Sequence, residues 1–327
     1  MSSPEIRTAT SVDEGALRRF YARAFPQRAS FLSEHWRWLY RVGRFPGIEP
    51  LVLVSDGNVV GHAGVIPLLL ERLGHASPAI WFVDFFILSE FQGRGWGRAL
   101  TERWMNMCPD RITFCNDRSI KVFRAFGWRE SGEARVCSLP ISLPGAFRPL
   151  APVSRSILKF LIGDAQRLNI EPLSDNPTGL SQSMKTTAGP AARIVRDEDW
   201  VRWRLLEHPR RREHVRAEVD GIGAVLRLLT SLGRRRAHLL HLGHGPRDAR
   251  ARMIASFSRW AVEQECETAW MATDDAQLLE LRSIGHLPRR RPLRFAWHSR
   301  DPRVMSALAL GLSTQAIDSD HDLMFPC

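Results

Sequence analysis

The sequence has no apolar run long enough to cross a bilayer. Its longest apolar stretches, such as Ala79 to Leu88, are short, and that one carries Asp84. Its first residues, MSSPEIRTAT, have neither the basic start nor the apolar core of a secretory signal. The five cysteines (Cys108, Cys115, Cys137, Cys266, Cys327) are scattered and form no CxxC pair. A zinc site or disulfide framework is therefore not expected, no membrane partner is expected, and a reducing cytoplasm is the expected compartment. Lysine is scarce, so nearly all of the basic charge is arginine. The net charge is +11: residues 1–150 carry 19 basic and 14 acidic side chains, and residues 151–327 carry 27 and 21. An excess spread over both halves is not the clustered footprint of a nucleic-acid binder, and no nucleic-acid partner is expected. The runs Arg234–Arg236 and Arg289–Arg291 flank strand-like segments and read as solvated strand ends. A chain of 327 residues is long enough for two domains.

What the chain has instead is glycine between an apolar run and a helix. Phe91 to Leu100 reads FQGRGWGRAL, with AIWFVDFFIL ahead of it and TERWMNMC after it. Glycine tolerates positive φ and lets a backbone come close to another group. A glycine-rich turn that opens a helix leaves backbone N–H groups unpaired, with the helix dipole behind them. Gly93, Gly95 and Gly97, with Arg94 and Arg98 adding positive charge, read as a phosphate cradle. They also read as a tight turn with no ligand, and the turn alone does not choose.

The first 140 residues run β-α-α-β-β-β-α-β-α-β. EIRTAT alternates as a strand, and SVDEGALRRFYARAF is a helix with Ser11 and Glu14 at capping-box spacing. FLSEHWRWLYRVG is a second, aromatic-rich helix. PLVLVSDGNVVGHAGVIPLLL is a hairpin about Asp56-Gly57-Asn58. AIWFVDFFILS, RITFCN and WRESGEARVCSLP are strands; GRALTERWMNMC and SIKVFRAFG are helices. This is a mixed α/β (α+β) domain over residues 1–144. A linker with one helix, SRSILKFLIGDAQRL, follows over 145–190. Residues 191–327 echo the first unit. WVRWRLLEHPRR matches WRWLYRVGRFPG, and VDGIGAVLRLL matches SDGNVVGHAGVI. Trp104 finds Trp260, and Cys108 and Gly127 find Cys266 and Gly285 at one common offset, which favours a duplicated unit. HLGHGPRDARARM stands where the glycine turn would be, so one cradle is expected.

Downstream of the turn, NDRSIKVFRAFGW completes a pattern. Here the chain resembles the GNAT acyltransferase superfamily. That family's Q/R-x-x-G-x-G/A turn is met by Gln92-Gly93-Arg94-Gly95-Trp96-Gly97. Its N-x-x-A-x-x-(apolar)-Y-x-x-x-G-F pattern is met by Asn116, Val122 and Gly127, with Ser119 for Ala, Phe123 for Tyr and Trp128 for Phe. The resemblance covers residues 5–140; the second half is similar in element order only, as a degenerate copy. It implies two GNAT-like domains, each a mixed, mostly antiparallel sheet flanked by helices. It implies acetyl-CoA as co-substrate and no metal. Backbone N–H groups of Gln92 through Arg98 would hold the coenzyme A pyrophosphate. Ile87 and Leu88, on a strand that splays from its neighbour, would pair with the pantetheine arm. Asn116 would lie beside that arm where the next strand diverges, and Phe123 belongs to the same set.

The implied chemistry is direct attack of an amine on a thioester, with both substrates held together. A base must take the amine's proton. Many relatives protonate the leaving thiolate with a tyrosine, and Phe123 cannot. Another group or water does so, or no proton is needed, or activity has been lost. Asp84 is the sharpest candidate base: it is the one charge in AIWFVDFFIL, and a desolvated carboxylate has a raised pKa. The alternative is that Asp84 caps or pairs within the fold, with Arg111 or His62. His62 has the intrinsic pKa of a base, although a lone strand histidine is commonly structural. Trp36, Trp38 and Tyr40 wall an acceptor site or pack in the core. The expected function is N-acyl transfer of an acetyl or other short acyl group from coenzyme A to a small-molecule amine. The alternative is a non-catalytic acyl-CoA-binding module. His238, His241 and His244 alternate faces on a strand and do not suit a metal. DSDHD at Asp318–Asp322 lacks the glycine and glutamate of a cation loop and reads as a polar C-terminal segment.

Overall fold

A computed structural model of the chain describes residues 3–142 except 73 and 116. It further describes 165–184, 192–231, 234–273, 286–288, 293–309, 312–313, 315–318 and isolated positions between 153 and 162. Asn116, Gly285, Arg289–Arg291, Cys327 and part of SRSILKFLIGDAQRL lie outside the described residues, as does the expected boundary at 144.

The first helix, α1 (Glu14–Ala24), starts at Asp13, whose carboxylate accepts from Ala16 N at 2.8 Å. The expected capping box of Ser11 and Glu14 is not formed. Ser11 sits in a short 3-10 turn and donates to Thr8 O, so Asp13, the last extended residue before the helix, satisfies the free N–H. The second helix, α2, spans Ala29–Leu39. Strands β2 (Leu51–Ser55) and β3 (Asn58–Arg72) join through Asp56-Gly57, with φ of +46° and +75°. Two left-handed residues in a two-residue loop give the twist that a hairpin needs. Asp220-Gly221 repeats that turn, at +50° and +74°, between β9 (His214–Val219) and β10 (Ile222–Ser231).

The two halves repeat one sheet plan and exchange strands. In the first sheet β1 (Glu5–Thr8), β2, β3 and β4 (His75–Ile87) are antiparallel, and β5 (Asp110–Cys115) lies parallel to β4. In the second, β7 (Asn169–Pro172), β9, β10 and β11 (Arg234–Leu242) are antiparallel, and β12 (Thr268–Thr273) lies parallel to β11. β14 (Leu293–Ser299), from the second half, lies between β5 and the first part of β6 (Arg129–Pro140). The rest of β6, Arg135–Pro140, pairs with β12 in the second sheet. Each sheet therefore contains a strand of the other half, and non-local pairing of this kind leaves no mark in local sequence.

The halves also meet through a reciprocal contact. Trp38 Nε1 donates to Trp203 O at 3.0 Å, and Trp203 Nε1 donates to Trp38 O at 2.8 Å. One hydrophobic cluster runs from Leu17 and Trp36 to Trp200, Trp297 and Ile317. Among the described residues, no helix is long and apolar enough to cross a membrane.

Candidate functional site

The glycine turn joins β4 to α3 (Trp96–Met105). Gly93 and Gly95 have φ of +75° and +82°, and Gly95 is the N-cap of α3. A Cβ at either position would meet nothing within 4 Å, so their backbone faces open space. Gln92 N already donates to Ser89 O at 3.2 Å, so the row of donors starts at Gly93, one residue later than expected; the next N–H with a backbone partner is Ala99 N, to Gly95 O at 3.1 Å. The N–H groups of Gly93 to Arg98 between them are the unpaired donors of a helix start. Gly97 differs: a Cβ there would meet Ile87 Cδ1 at an ordinary contact distance of 3.6 Å, so packing does not demand a glycine at this position. Arg94 is exposed; Arg98 is exposed and pairs with Glu102 at 2.8 Å. A shaped, open row of N–H donors beside two arginines fits an anion such as a pyrophosphate.

Ahead of the turn the sheet opens. β4 and β5 pair only at Ile80–Arg111 and Trp81–Ile112. Beyond that point Thr113 Oγ1 donates to Phe82 O at 2.8 Å, and the strands part. A cleft of about 840 Å³, counting its open mouth, lies in the gap, walled by Phe82, Asp84, Phe114, Cys115, Phe123 and Arg28. Backbone groups at the end of β4 are already engaged. Gln92 Nε2 donates to Ile87 O at 2.6 Å, and Leu88 N donates to Val60 O at 2.9 Å. The strand segment lining the gap is Trp81 to Phe85.

Asp84 stands on this edge because β4 bulges there. Gly64 faces Val83 and His62 faces Phe86, so Ala63 opposes two residues, Asp84 and Phe85. Asp84 takes a φ of +50°, a strained value for a residue with a side chain. Bulges of this sort re-aim a side chain beside a site. Gly64 makes room: a Cβ there would lie 2.8 Å from Tyr40 Cε1 and 2.8 Å from Val83 O. The bulge is braced from behind. His62 Nδ1 lies 2.9 Å from the Asp84 carbonyl oxygen, which only accepts, so Nδ1 carries the proton. The other nitrogen, Nε2, then accepts from Tyr21 OH at 3.3 Å. Burial holds His62 below its usual pKa and pushes the Tyr21 and Tyr40 hydroxyls up.

The Asp84 carboxylate is buried and clamped. Arg28 Nη1 meets Oδ1 at 2.5 Å, and Tyr40 OH donates to Oδ2 at 2.9 Å. Neither expected internal partner takes this role: Arg111 reaches His298 Nδ1 and Met105 O instead, and His62 meets the Asp84 backbone. Tyr40 is the member of the aromatic helix that reaches the site, whereas Trp36 packs in the core and Trp38 joins the halves. Arg28 gave no sequence signal. It reaches Asp84 only because the α1–α2 loop folds over the strand.

Phe123 packs edge-on to Phe82, at 5.8 Å between ring centres. The Cys115 thiol is pushed up to about 12, mainly by burial, and sits in the cleft wall as an inert group. Among the described residues, no three His, Cys, Asp or Glu side chains converge on a metal position. Asp318, expected in a polar tail, is buried and forms a two-pronged ion pair with Arg196, at 2.8 and 2.6 Å.

Among its described residues, the second half lacks this opening. β11 stays paired with β12 over four residues, Arg236 to Leu239. Its free end is covered: the Gln315 amide bonds Leu242 N and O at 3.4 and 3.3 Å. A Cβ at Gly243 would lie 2.7 Å from Gly223 O, so this glycine marks close packing and not open space.

Comparison with known proteins agrees with this geometry. A family model described as the acetyltransferase (GNAT) family matches residues 14–128. Over 154 residues the chain is 30% identical to the L-amino acid N-acetyltransferase AaaT of Escherichia coli (strain K12), covering 42% of this chain and 91% of that protein. A GCN5-related N-acetyltransferase from Kribbella flavida superposes with a TM-score of 0.59 at 16% identity, covering 93% of this chain and 74% of that one. A Saccharomyces cerevisiae N-myristoyltransferase with bound myristoyl-CoA gives 0.63 at 10% identity, over 91% and 78%. These two likenesses concern the fold, and they extend across both halves.

Proposed function

The chain belongs to the acetyltransferase (GNAT) family, and on that premise we propose that it moves an acetyl or other short acyl group from coenzyme A to a small-molecule amine, both bound at once. The observation that carries this reading is the open glycine turn leading into the gap beside β4, with the Asp84 carboxylate on the gap's wall. In this reading the N–H groups of Gly93 to Arg98 hold the pyrophosphate. The Val83–Phe85 edge meets the pantetheine arm, and Phe123 packs near the thioester.

The amine lone pair attacks the thioester carbonyl carbon. The C–N bond forms, the C–S bond breaks, and the thiolate leaves with its electron pair. Asp84 takes the proton that the nitrogen sheds. His62 acts through Asp84, because it is buried behind the bulge and cannot touch a substrate in the cleft. The high Cys115 pKa favours direct transfer over an acyl-enzyme on that thiol. The chain's two tyrosines are both engaged, Tyr21 with His62 and Tyr40 with the Asp84 carboxylate, and in this reading the thiolate departs without a tyrosine proton. The named activity of the Escherichia coli relative supports an amino acid as the acceptor.

A thiol-release assay with an amine panel, run beside calorimetry of coenzyme A binding, tests the reading. Release is expected, with a loss of about 100-fold or more in kcat for Asp84→Asn at unchanged coenzyme A affinity. Binding with no release from any amine would sink the catalytic reading and leave an acyl-CoA-binding module.

A further inference from the structure

We infer that the acceptor amine carries a large apolar or aromatic group, that this group packs on Phe114, and that the second half of the chain builds that wall by backing Phe114 with Phe295. This deepens the acyl-transfer reading and rests on it. The cleft passes between β4 and β5, so it has two sides. Phe82 and Phe123 belong to the core under α3 and α4 (Asp117–Ala125), together with Trp104 and Ile120. Phe85 packs against Phe82, and Val122 of α4 lines the cleft on the same side. The glycine turn opens α3, so the coenzyme reaches the gap from this side, and its arm covers the exposed Phe85 and Val122.

The other side belongs to Asp84, whose carboxylate is held by Arg28 and Tyr40. Here the wall is a row of rings. The Phe114 ring lies 5.4 Å from the Trp81 ring and 5.5 Å, edge to face, from the Phe295 ring, and Phe295 stacks on Trp297 at 5.7 Å. Trp81, Phe295 and Trp297 are buried in the same core as Tyr40. Phe114 packs on that core, is half-buried, and lines the cleft, so it is the cleft-facing end of the row. The polar groups beside it are turned inward: Thr113 Oγ1 donates to Phe82 O, and the Cys115 thiol to Arg294 O at 3.5 Å. β5 therefore offers the acceptor a ring surface and not a hydrogen bond. An amine at Asp84 with a small or hydroxylated body leaves this ring in water. An apolar body takes both surfaces out of water, and ring on ring adds to that gain. Phe295 stands directly across from Phe114 in the β14–β5 ladder. β14 comes from the second half, so a residue that does not line the cleft sets how its wall stands.

The test compares phenethylamine with ethylamine and ethanolamine as acceptors at saturating acetyl-CoA. In the unaltered protein kcat/KM should favour phenethylamine over both by about tenfold or more, as expected for burying one ring. In Phe114→Ala that preference should collapse to about threefold or less. Phe114→Leu keeps an apolar side chain without the ring and should retain part of it. Phe295→Leu should raise KM for phenethylamine about threefold more than KM for ethylamine, with kcat the lesser change, which is the split expected of a residue that acts through another. An unaltered protein that turns over ethylamine or ethanolamine as well as phenethylamine overturns this inference and leaves acyl transfer standing. So does a preference that survives Phe114→Ala intact. A preference that Phe114→Ala abolishes and Phe295→Leu leaves whole overturns the second half's part in it. No turnover with any acceptor overturns the acyl-transfer reading and this inference with it.

Discussion

The two halves share a plan and differ in one event: β4 leaves its parallel neighbour after two residue pairs, while β11 keeps its neighbour for four. Everything that makes the first half a candidate enzyme follows from that parting. The gap exposes a strand edge, the bulge at Asp84 turns a carboxylate into it, and the glycine turn caps its far end. In the second half, among the described residues, Gln315 covers the end of β11, and Gly243 packs against Gly223 O on the β10 side of that strand. The lesson is that one strand plan can occur with and without an open cleft, so fold and function have to be read separately.

The largest expected effect breaks the idea that the halves are separate. Trp297 is buried on β14, the strand that the second half inserts into the first sheet. Trp297→Ala should cost about 3–5 kcal/mol in urea unfolding, and coenzyme A binding should vanish in the same transition. Binding that outlasts the unfolding signal would show two independent bodies.

Acid should separate the halves next. Burial lowers the pKa of His62 in the first half and of His241 and His286 in the second, the last to about 4. These histidines are neutral when folded and charge freely when unfolded. The stability they contribute is complete above pH ~6.5 and is lost as pH falls toward the folded values. For His286 the loss amounts to roughly 3 kcal/mol. Hydrogen exchange at pH 5 against pH 7 should therefore show the second half opening first; uniform loss of protection would contradict this.

The glycines sharpen the contrast. Gly95→Val should weaken coenzyme A at least tenfold, about 1.4 kcal/mol, because it fills the cradle at a left-handed position. Gly243→Ala should lower the thermal midpoint and leave coenzyme A affinity alone. Equal effects of both changes on affinity would mean that the first turn is not special. The smallest effect belongs to Arg94→Ala. Its loss should stay under tenfold and shrink further in high salt, since an exposed charge is screened.

Much of the first half was legible because its signals are local. The Asp56-Gly57 turn, the glycine turn and the helix after it depend on a few adjacent residues with special backbone needs. The site's chemistry was legible only in part. Asp84 drew notice as a lone charge among apolar neighbours, but nothing in AIWFVDFFIL announces a bulge. Its one trace is Gly64 across the sheet, which reads as an ordinary strand glycine. Arg28 and Tyr40 come to Asp84 through the packing of α1 and α2 over the sheet. The exchange of β6 and β14 depends on partners far apart in the chain, and period and propensity carry no such information. Asp318 was misread for the same reason: its partner, Arg196, lies 122 residues away.

The exchanged strand also imposes an order on synthesis. β5 and β6 leave the ribosome while residues 141–299 are still being added, and until β14 follows they stand apart across an empty lane. Each then shows a row of unpaired N–H and C=O groups, the state in which strands find wrong partners. Closure must join Ile112 to Trp297, a distant pairing of the slow kind. Nascent chains paused before β14 should be cut readily by protease within β5 and β6, and chains paused after it should resist. A cell that makes this protein must therefore shelter an unfinished sheet through the whole translation of the second half.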